Sequence, residues 1–325
     1  MRAVVCKAFG GPDTLTVDEM PMRDPGPGEV RVAIHTAGLN FADTLMIEGK
    51  YQEKPPFPFS PGLEGAGVVD AVGAGVSRVK KGDRVMAMAG VGAFAEMMIA
   101  PEKGVTRIPD NMDFVAAAAF PVAYGTSHLA LHHRGALKAG ETLLVHGAAG
   151  GVGLTAVQIG KVMGATVIAT ARGADKLKIA QANGADHIID YSTEDVRERV
   201  LAITNKKGAN VIYDPVGGDV FDASLRCIAW EGRLLVIGFA AGRIPSAPAN
   251  LLLVKNCSAV GVFWGAYMKN DTNTVHASFD ALLAWYAQGK LKPHVSHVLP
   301  MAQAGAALKL LTSRASTGKV VLKIR

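Results

Sequence analysis

Four glycines, Gly147, Gly150, Gly151 and Gly153, sit in the segment ETLLVHGAAGGVG at Glu141–Gly153, between an apolar strand and the helix-forming run LTAVQIGKVM. A Cβ in such a turn would block positive-φ conformations or hold the backbone away from a diphosphate. The helix behind it offers unpaired N–H groups and a partial positive charge. The order strand, glycine turn, helix therefore suits pyrophosphate binding, with Ala149, Gly150, Gly151, Val152 and Gly153 against the phosphates. Glycine spacing alone is weak evidence. Here five β-favouring residues lead into the turn, and Leu154, Val157 and Val162 recur at helical spacing after it. The competing use of the glycines is close packing of a helix on a strand.

The elements that must position this turn follow it. Short apolar strands are predicted at Leu143–His146, Thr166–Thr170, His187–Asp190, Val211–Asp214, Leu234–Gly238 and Ala259–Phe263. Helix-compatible stretches at Asp175–Asn183, Glu194–Thr204 and Val220–Ala229 lie between them, with Gly184 at a helix C-cap position. Strands alternating with crossover helices make a doubly wound α/β domain around a six-stranded parallel sheet, expected over residues 123–265. Residues 1–122 read as a mostly β module, with strands such as Glu29–His35, Gly65–Val72 and Arg84–Ala87 broken by Pro/Gly turns. Residues 266–325 hold a helix at His276–Gln288, a strand near His294–Pro300, a helix around Ala302–Ser313 and a strand Gly318–Ile324. With six strands already assigned, this tail is expected to return to the first domain.

The end of the second strand bears on cofactor choice. Folds of this kind that bind NAD place an acid there for the ribose 2′-OH, whereas NADP versions supply a cation instead. Here the chain reads Thr170-Ala171-Arg172-Gly173-Ala174-Asp175-Lys176. Arg172 and Lys176 are placed for a 2′-phosphate, Asp175 reads as a helix N-terminal residue, and the cofactor is read as NADPH. The alternative is that Arg172 and Lys176 are solvated surface charges.

Composition narrows the class. The 325 residues are 49% hydrophobic, no apolar run approaches the ~20 residues of a membrane span, and MRAVVCKAFGG opens without a signal-peptide core. A soluble cytoplasmic protein is expected. Cys6, Cys227 and Cys257 are too few and scattered for a disulfide framework or a cysteine-rich metal lobe. The net charge of +6 is dispersed rather than clustered, so no nucleic-acid partner is expected.

With NFADTL at Asn40–Leu45, PGLEGAGVV at Pro61–Val69, GDRV at Gly82–Val85, AAGGVG at Ala148–Gly153 and GKVVL at Gly318–Leu322, the chain resembles the zinc-independent quinone oxidoreductase branch of the medium-chain dehydrogenase/reductase superfamily, over nearly its whole length. The resemblance implies a GroES-like catalytic domain from the N-terminal segment and the tail, a Rossmann domain, a cofactor cleft between them, and commonly a homodimer or homotetramer. Zinc-dependent relatives take ligands from a Cys and a Gly-His-Glu motif, where this chain has Asn40 and Leu63. Neither binds zinc, so no metal is expected. Without a Lewis acid the acceptor must already be electron-poor, a quinone or an activated alkene such as an enone or 2-enoyl thioester. A third reading is a protein that binds NADPH without useful turnover, a use that lens crystallins and RNA-binding members related to the family show is possible.

The resemblance also assigns residues. Asn40 and Tyr51 are placed beside the nicotinamide, Asn40 as a donor to the acceptor carbonyl and Tyr51 as a hydrogen-bond or proton donor; Tyr124 and Thr126 shape the same end. Asn40 followed by Asp43 also reads as a helix N-cap, and Tyr51 also reads as an aromatic plug in a proline-rich loop. Asp43 and Glu64 are read as supporting residues. Tyr191 resembles the tyrosine that covers the adenine end, with a loop anchor as the alternative. Gly238, Phe239 and Ala240 after the fifth strand, and Val262, Phe263 and Trp264 after the sixth, lie where ligands collect in doubly wound sheets; Phe263 and Trp264 also read as packing. Lys319 is assigned to the cofactor, with an exposed position as the alternative, and His146 reads as a strand-end residue.

Overall fold

The computed structural model describes every residue, Met1–Arg325. The chain divides into two compact units, Met1–Val122 with Lys292–Arg325, and Ala123–Leu291.

The first unit opens with the antiparallel pair β1 (Arg2–Val5) and β2 (Thr16–Glu19). Strand β3 (Glu29–Gly38) alternates half-buried and buried residues, Val30, Val32 and Ile34 pointing inward. It pairs antiparallel with β4 (Glu64–Val72), which leads through β5 (Arg84–Met88) to the later β7 (Val105–Arg107), while β6 (Met97–Pro101) pairs on β3. A Cβ on Gly67 of β4 would overlap the carbonyl of Ala33, so the strands cross there on glycine. Helix α1 (Phe41–Ile47) follows β3 directly, and α2 (Phe114–Ala118) begins at Asp113, whose carboxylate caps the Ala116 N–H.

Helix α3 (Pro121–His128) leads into the second unit. Its sheet comprises β8 (Thr142–Val145), β9 (Thr166–Ala171), β10 (His187–Asp190), β11 (Ala209–Asp214), β12 (Ile228–Val236) and β13 (Ser258–Gly261). All pair in parallel in the order β10-β9-β8-β11-β12-β13. The crossovers are α4 (Gly151–Val162), α5 (Ala174–Ala182), α6 (Val196–Ile203), α7 (Gly218–Cys227) and α8 (Ala249–Lys255). Strands β8, β9 and β11 are covered on both faces and so read as near-continuous apolar runs. Gly184 follows α5 at φ +109°, ending the helix.

Several boundaries move. β12 begins at Ile228, six residues before the expected Leu234, because Trp230-Glu231-Gly232, which resembles a turn, is a strand irregularity with Glu231 at φ +55°. β13 ends at Gly261, since a helix absent from the sequence reading, α9 (Trp264–Asn270), begins three residues later. Helix α10 (Thr272–Ala287) starts a turn before His276, capped by Asp271, whose carboxylate accepts from the Thr274 N–H and hydroxyl. Trp264 of α9 meets Phe279 of α10 edge-on, and Ser278 bonds His128 of α3. Those contacts keep α9 and α10 in the second unit, so the chain leaves it at Leu291 and not at 265.

The tail supplies β14 (Val295–Pro300), α11 (Ala304–Thr312) and β15 (Lys319–Lys323). They complete the first unit's seven-stranded sheet, ordered β14-β15-β3-β4-β5-β7 with β6 on β3. β15 lies antiparallel to the end of β3, Val321 opposite Gly38. That register sets Lys319 beside the residues that follow β3.

Candidate active site

In the second unit, the loops at the C-terminal ends of β8, β11 and β12 interlock. Gly147 has φ +58°, and a Cβ there would stand 3.2 Å from Val216 Cγ2. Gly150 is the extended N-cap of α4, its N–H donating to Gly147 O at 2.9 Å. A Cβ on Gly153 would overlap the Gly147 carbonyl, so only glycine lets the helix start this close to the strand. The first backbone bond back from α4 is Leu154 N to Gly150 O, which leaves the N–H groups of Gly151, Val152 and Gly153 without intrahelical acceptors. Both uses of the glycines are therefore present: close packing, and a donor-rich helix start.

Neighbouring loops are held from behind. Asp214, ending β11, accepts from the N–H groups of Val216 and Gly217, and the N–H groups of Ala240 and Ala241 donate to Pro215 O and Val216 O. This places Gly238, Phe239 and Ala240 next to the β11 loop, with Phe239 and Ala240 exposed. Ala149 is buried, and Val152 offers its carbonyl to the hydroxyls of Ser127 and Thr155; Ser127 Oγ also lies 2.9 Å from the Tyr213 hydroxyl. These three buried hydroxyls escape a reading of the sequence. Ser, Thr and Tyr in apolar elements carry no signal of whom they will meet.

At the end of β9, Arg172 is exposed, with its guanidinium carbon 5.9 Å from the Tyr191 ring centre. Gly173, at φ +85°, is the N-cap of α5 and donates to Asp190 Oδ2. Arg172 thus precedes the helix while Lys176, half-buried, lies in its first turn. The Asp190 carboxyl is held below its ordinary range by the Ser192 hydroxyl first, with further help from the Ser192 and Gly173 N–H groups and Arg172.

Other assigned residues turn inward. Thr170 is fully buried, its hydroxyl 2.9 Å from His146 Nδ1. Ser224 Oγ donates to Val220 O and so accepts from His146 Nε2 at 2.7 Å, which makes Nδ1 the acceptor of the Thr170 proton. Burial keeps this imidazole neutral, holding its pKa below the usual value against the opposing pull of Asp214. His146 is therefore a link between β8, β9 and α7, more than a strand end, and the Thr170 side chain is committed to it. Tyr124 is buried with its hydroxyl donated to Gln158 Oε1 at 2.7 Å; Thr126 is buried on the same helix. Val262 donates its N–H to Val236 O. Trp264 packs its indole against Gly125, where a Cβ would come within 2.9 Å of the ring, which makes it core packing, whereas Phe263 beside it is exposed.

In the first unit, four polar side chains converge at the start of α1. Lys319 Nζ donates to Leu39 O, Asn40 Oδ1 and Glu64 Oε1, each at 2.7 Å. Asn40 Nδ2 donates to Glu64 Oε1 at 2.7 Å, and Glu64 Oε2 accepts from the Val122 N–H. Asn40 is the N-cap of α1 as expected, Asp43 Oδ2 accepting from its backbone N–H, and its side chain also meets Lys319 and Glu64. Lys319 is neither exposed nor left with a proton for a ligand. The carboxyl of Asp43 is pushed up to about 7, first by burial and further by Glu64, against the Asn40 N–H and Lys319. Tyr51 is half-buried on the apolar core of this unit, and burial, then Glu53 and Asp43, hold its phenol above the ordinary value, hence protonated. Leu63 packs on the same core, and no three His, Cys, Asp or Glu side chains converge as a metal-ligand set.

Residues 26–110 match the family model described as alcohol dehydrogenase GroES-like domain, and residues 151–283 match that described as zinc-binding dehydrogenase. The chain is 45% identical over 325 residues to quinone oxidoreductase-like protein 2 of Rattus norvegicus, covering 100% of this chain and 92% of that protein. Among solved structures, Escherichia coli quinone oxidoreductase complexed with NADPH superposes with a TM-score of 0.92 at 31% identity, covering 100% of both chains. A 2-haloacrylate reductase superposes with a TM-score of 0.88 at 31% identity, again over 100% of both.

Proposed function

The chain belongs to the quinone oxidoreductase branch of the medium-chain dehydrogenase/reductase superfamily, and from that membership we propose an NADPH-dependent, zinc-free reductase of quinones. The observation that carries this reading is Asn40, an amide wedged between an ammonium and a carboxylate at the place where a zinc-dependent relative needs a metal ligand.

The residues fit the cofactor. The glycine turn leaves three backbone N–H groups for a pyrophosphate, Gly150 is open enough that an added Cβ would meet only the Gly147 oxygen at 3.3 Å, and Arg172 is exposed where a 2′-phosphate would lie. NADPH, when bound, supplies a hydride to an electron-poor acceptor. Asn40 Nδ2–H donates to the acceptor's carbonyl oxygen, where negative charge gathers, and Tyr51 keeps a phenol proton at neutral pH. Quinone reduction leaves an oxygen anion that water can protonate, so no carboxylate pair is required.

Reduction of an activated alkene is the second reading, favoured by the likeness to a 2-haloacrylate reductase, whose named substrate is such an alkene. The chain is also read as a homodimer. β13 is an edge strand, and Leu253 and Val254 of α8, the helix that precedes it in the chain, are 76% and 69% exposed, apolar surface suited to a second copy.

The test is steady-state consumption of NADPH and NADH with a panel of quinones, enones and enoyl thioesters, after elemental analysis and EDTA treatment. Quinone-dependent NADPH oxidation by metal-free protein supports the reading. Tight NADPH binding with no turnover on any acceptor would make the protein a cofactor-binding protein, and one zinc per chain would overturn the metal-free assignment.

A further inference from the structure

Asn40 is 9% exposed, Lys319 5%, and Glu64 and Asp43 are fully buried, so within this cluster the amide is the group best placed to meet a ligand. Its orientation is set by charge. Asn40 Oδ1 faces the Lys319 ammonium and Nδ2 faces the Glu64 carboxylate, both at 2.7 Å. Rotating the amide by half a turn would set its NH₂ against the ammonium and its oxygen against the carboxylate, and both contacts would become repulsive. One Nδ2 hydrogen is consumed by Glu64, which leaves a single hydrogen to donate outward. The anchors are themselves tied down. All three Lys319 protons are spent on Leu39 O, Asn40 Oδ1 and Glu64 Oε1, and the second Glu64 oxygen holds the Val122 N–H.

We propose that Lys319 and Glu64 are positioning residues: they lock the Asn40 amide in the one flip that presents an N–H, and not a carbonyl oxygen, to the acceptor. This rests on the reductase reading with Asn40 as the donor. Neither residue touches cofactor or acceptor. Lys319 acts on the reaction through Asn40, which replaces the direct cofactor contact expected of it.

A double-mutant cycle between Asn40→Ala and Lys319→Met, read as kcat, KM for quinone and NADPH dissociation constant, tests this. Loss of a donor to developing charge lowers kcat by roughly ten- to a hundredfold, below the ~10²–10³ seen for oxyanion-hole donors. Lys319→Met is expected to match that loss with NADPH affinity unchanged, and the double variant to be no slower than Asn40→Ala alone. A kcat for Lys319→Met equal to that of the unaltered protein, or losses that multiply in the double variant, would overturn the proposal. Lys319→Met strands buried carboxylates, so the charge-neutral pair Lys319→Met with Glu64→Gln is measured beside it. The amide introduced by Glu64→Gln can accept or donate and no longer distinguishes the two ends of the Asn40 side chain, so the same kcat loss is expected there, and full kcat refutes the locking role. If Asn40→Ala retains full turnover, this inference fails while the reductase reading stands. If the unaltered protein oxidises no NADPH with any acceptor, the reductase reading is what has failed.

Discussion

The hydroxyl of Tyr124 donates to Gln158 Oε1 at 2.7 Å, tying α3 to the helix that begins at the glycine turn. Gln158 in turn donates from Nε2 to Asn183 Oδ1, the residue that ends α5. Tyr124→Phe keeps the ring and deletes one end of this chain. Stability measured by urea denaturation should fall by about 1 kcal/mol, while NADPH affinity stays within about twofold. A large loss of affinity with unchanged stability would return Tyr124 to the ligand set.

Arg172 should discriminate between the cofactors. A charge-assisted hydrogen bond contributes roughly 1.5–3 kcal/mol, so Arg172→Ala should weaken NADPH binding about ten- to a hundredfold at ~1.4 kcal/mol per decade. NADH binding should barely change. Equal losses in parallel titrations would remove Arg172 from the 2′-phosphate site.

Asp43 should make stability fall as pH rises. Its folded carboxyl is pushed up to about 7, above the ordinary value of 3.8 that applies in the unfolded chain. Between those values the folded protein keeps a proton that the unfolded chain has released, so this contribution is complete below about pH 4 and is lost on rising through about 7. Asp43→Asn retains an acceptor for the Asn40 N–H and cannot ionise. Relative to the unaltered protein it should gain roughly 2–4 kcal/mol between pH 4 and pH 8, at ~1.4 kcal/mol per pKa unit. Parallel pH profiles for the two proteins would contradict the assignment.

Tyr51→Phe should separate the two acceptor classes. An alkene acceptor leaves a carbanion equivalent that needs a positioned acid, worth ~10²–10⁴-fold, so enone turnover should collapse in the variant while quinone turnover changes little. Unchanged rates on a good enone would leave Tyr51 as a pocket wall.

Leu253→Asp puts a charge on the exposed apolar surface of α8. Light scattering of the unaltered protein should give twice the chain mass and the variant one chain mass. A monomer in both cases would exclude the dimer reading.

The fold is largely legible in the sequence because its determinants are local. Glycine at 147 and 153 is required by geometry whatever surrounds it, and the parallel strands are continuous apolar runs. The second-unit boundary is not legible, because α9 and α10 are recruited by Trp264, Gly125, Ser278 and His128, residues whose mutual contacts no periodicity announces. The same holds for the site. Asn40 and Tyr51 stand out as motif positions, but nothing nearby in sequence reveals His146 as the partner of the Thr170 hydroxyl. The partners of Lys319 are hidden for the same reason, since its three acceptors lie more than 250 residues away.

That separation imposes an order in time. On a growing chain the N-terminal portion is available first, so Asn40, Asp43 and Glu64 emerge long before the ammonium that joins them, 279 residues after Asn40. Until then two carboxylates destined for burial have no counter-charge, and β3 has no β15 beside it. The first unit therefore closes only once β15 has been made, and the Asn40 amide is oriented after the nucleotide-binding unit has had its whole sequence available to fold.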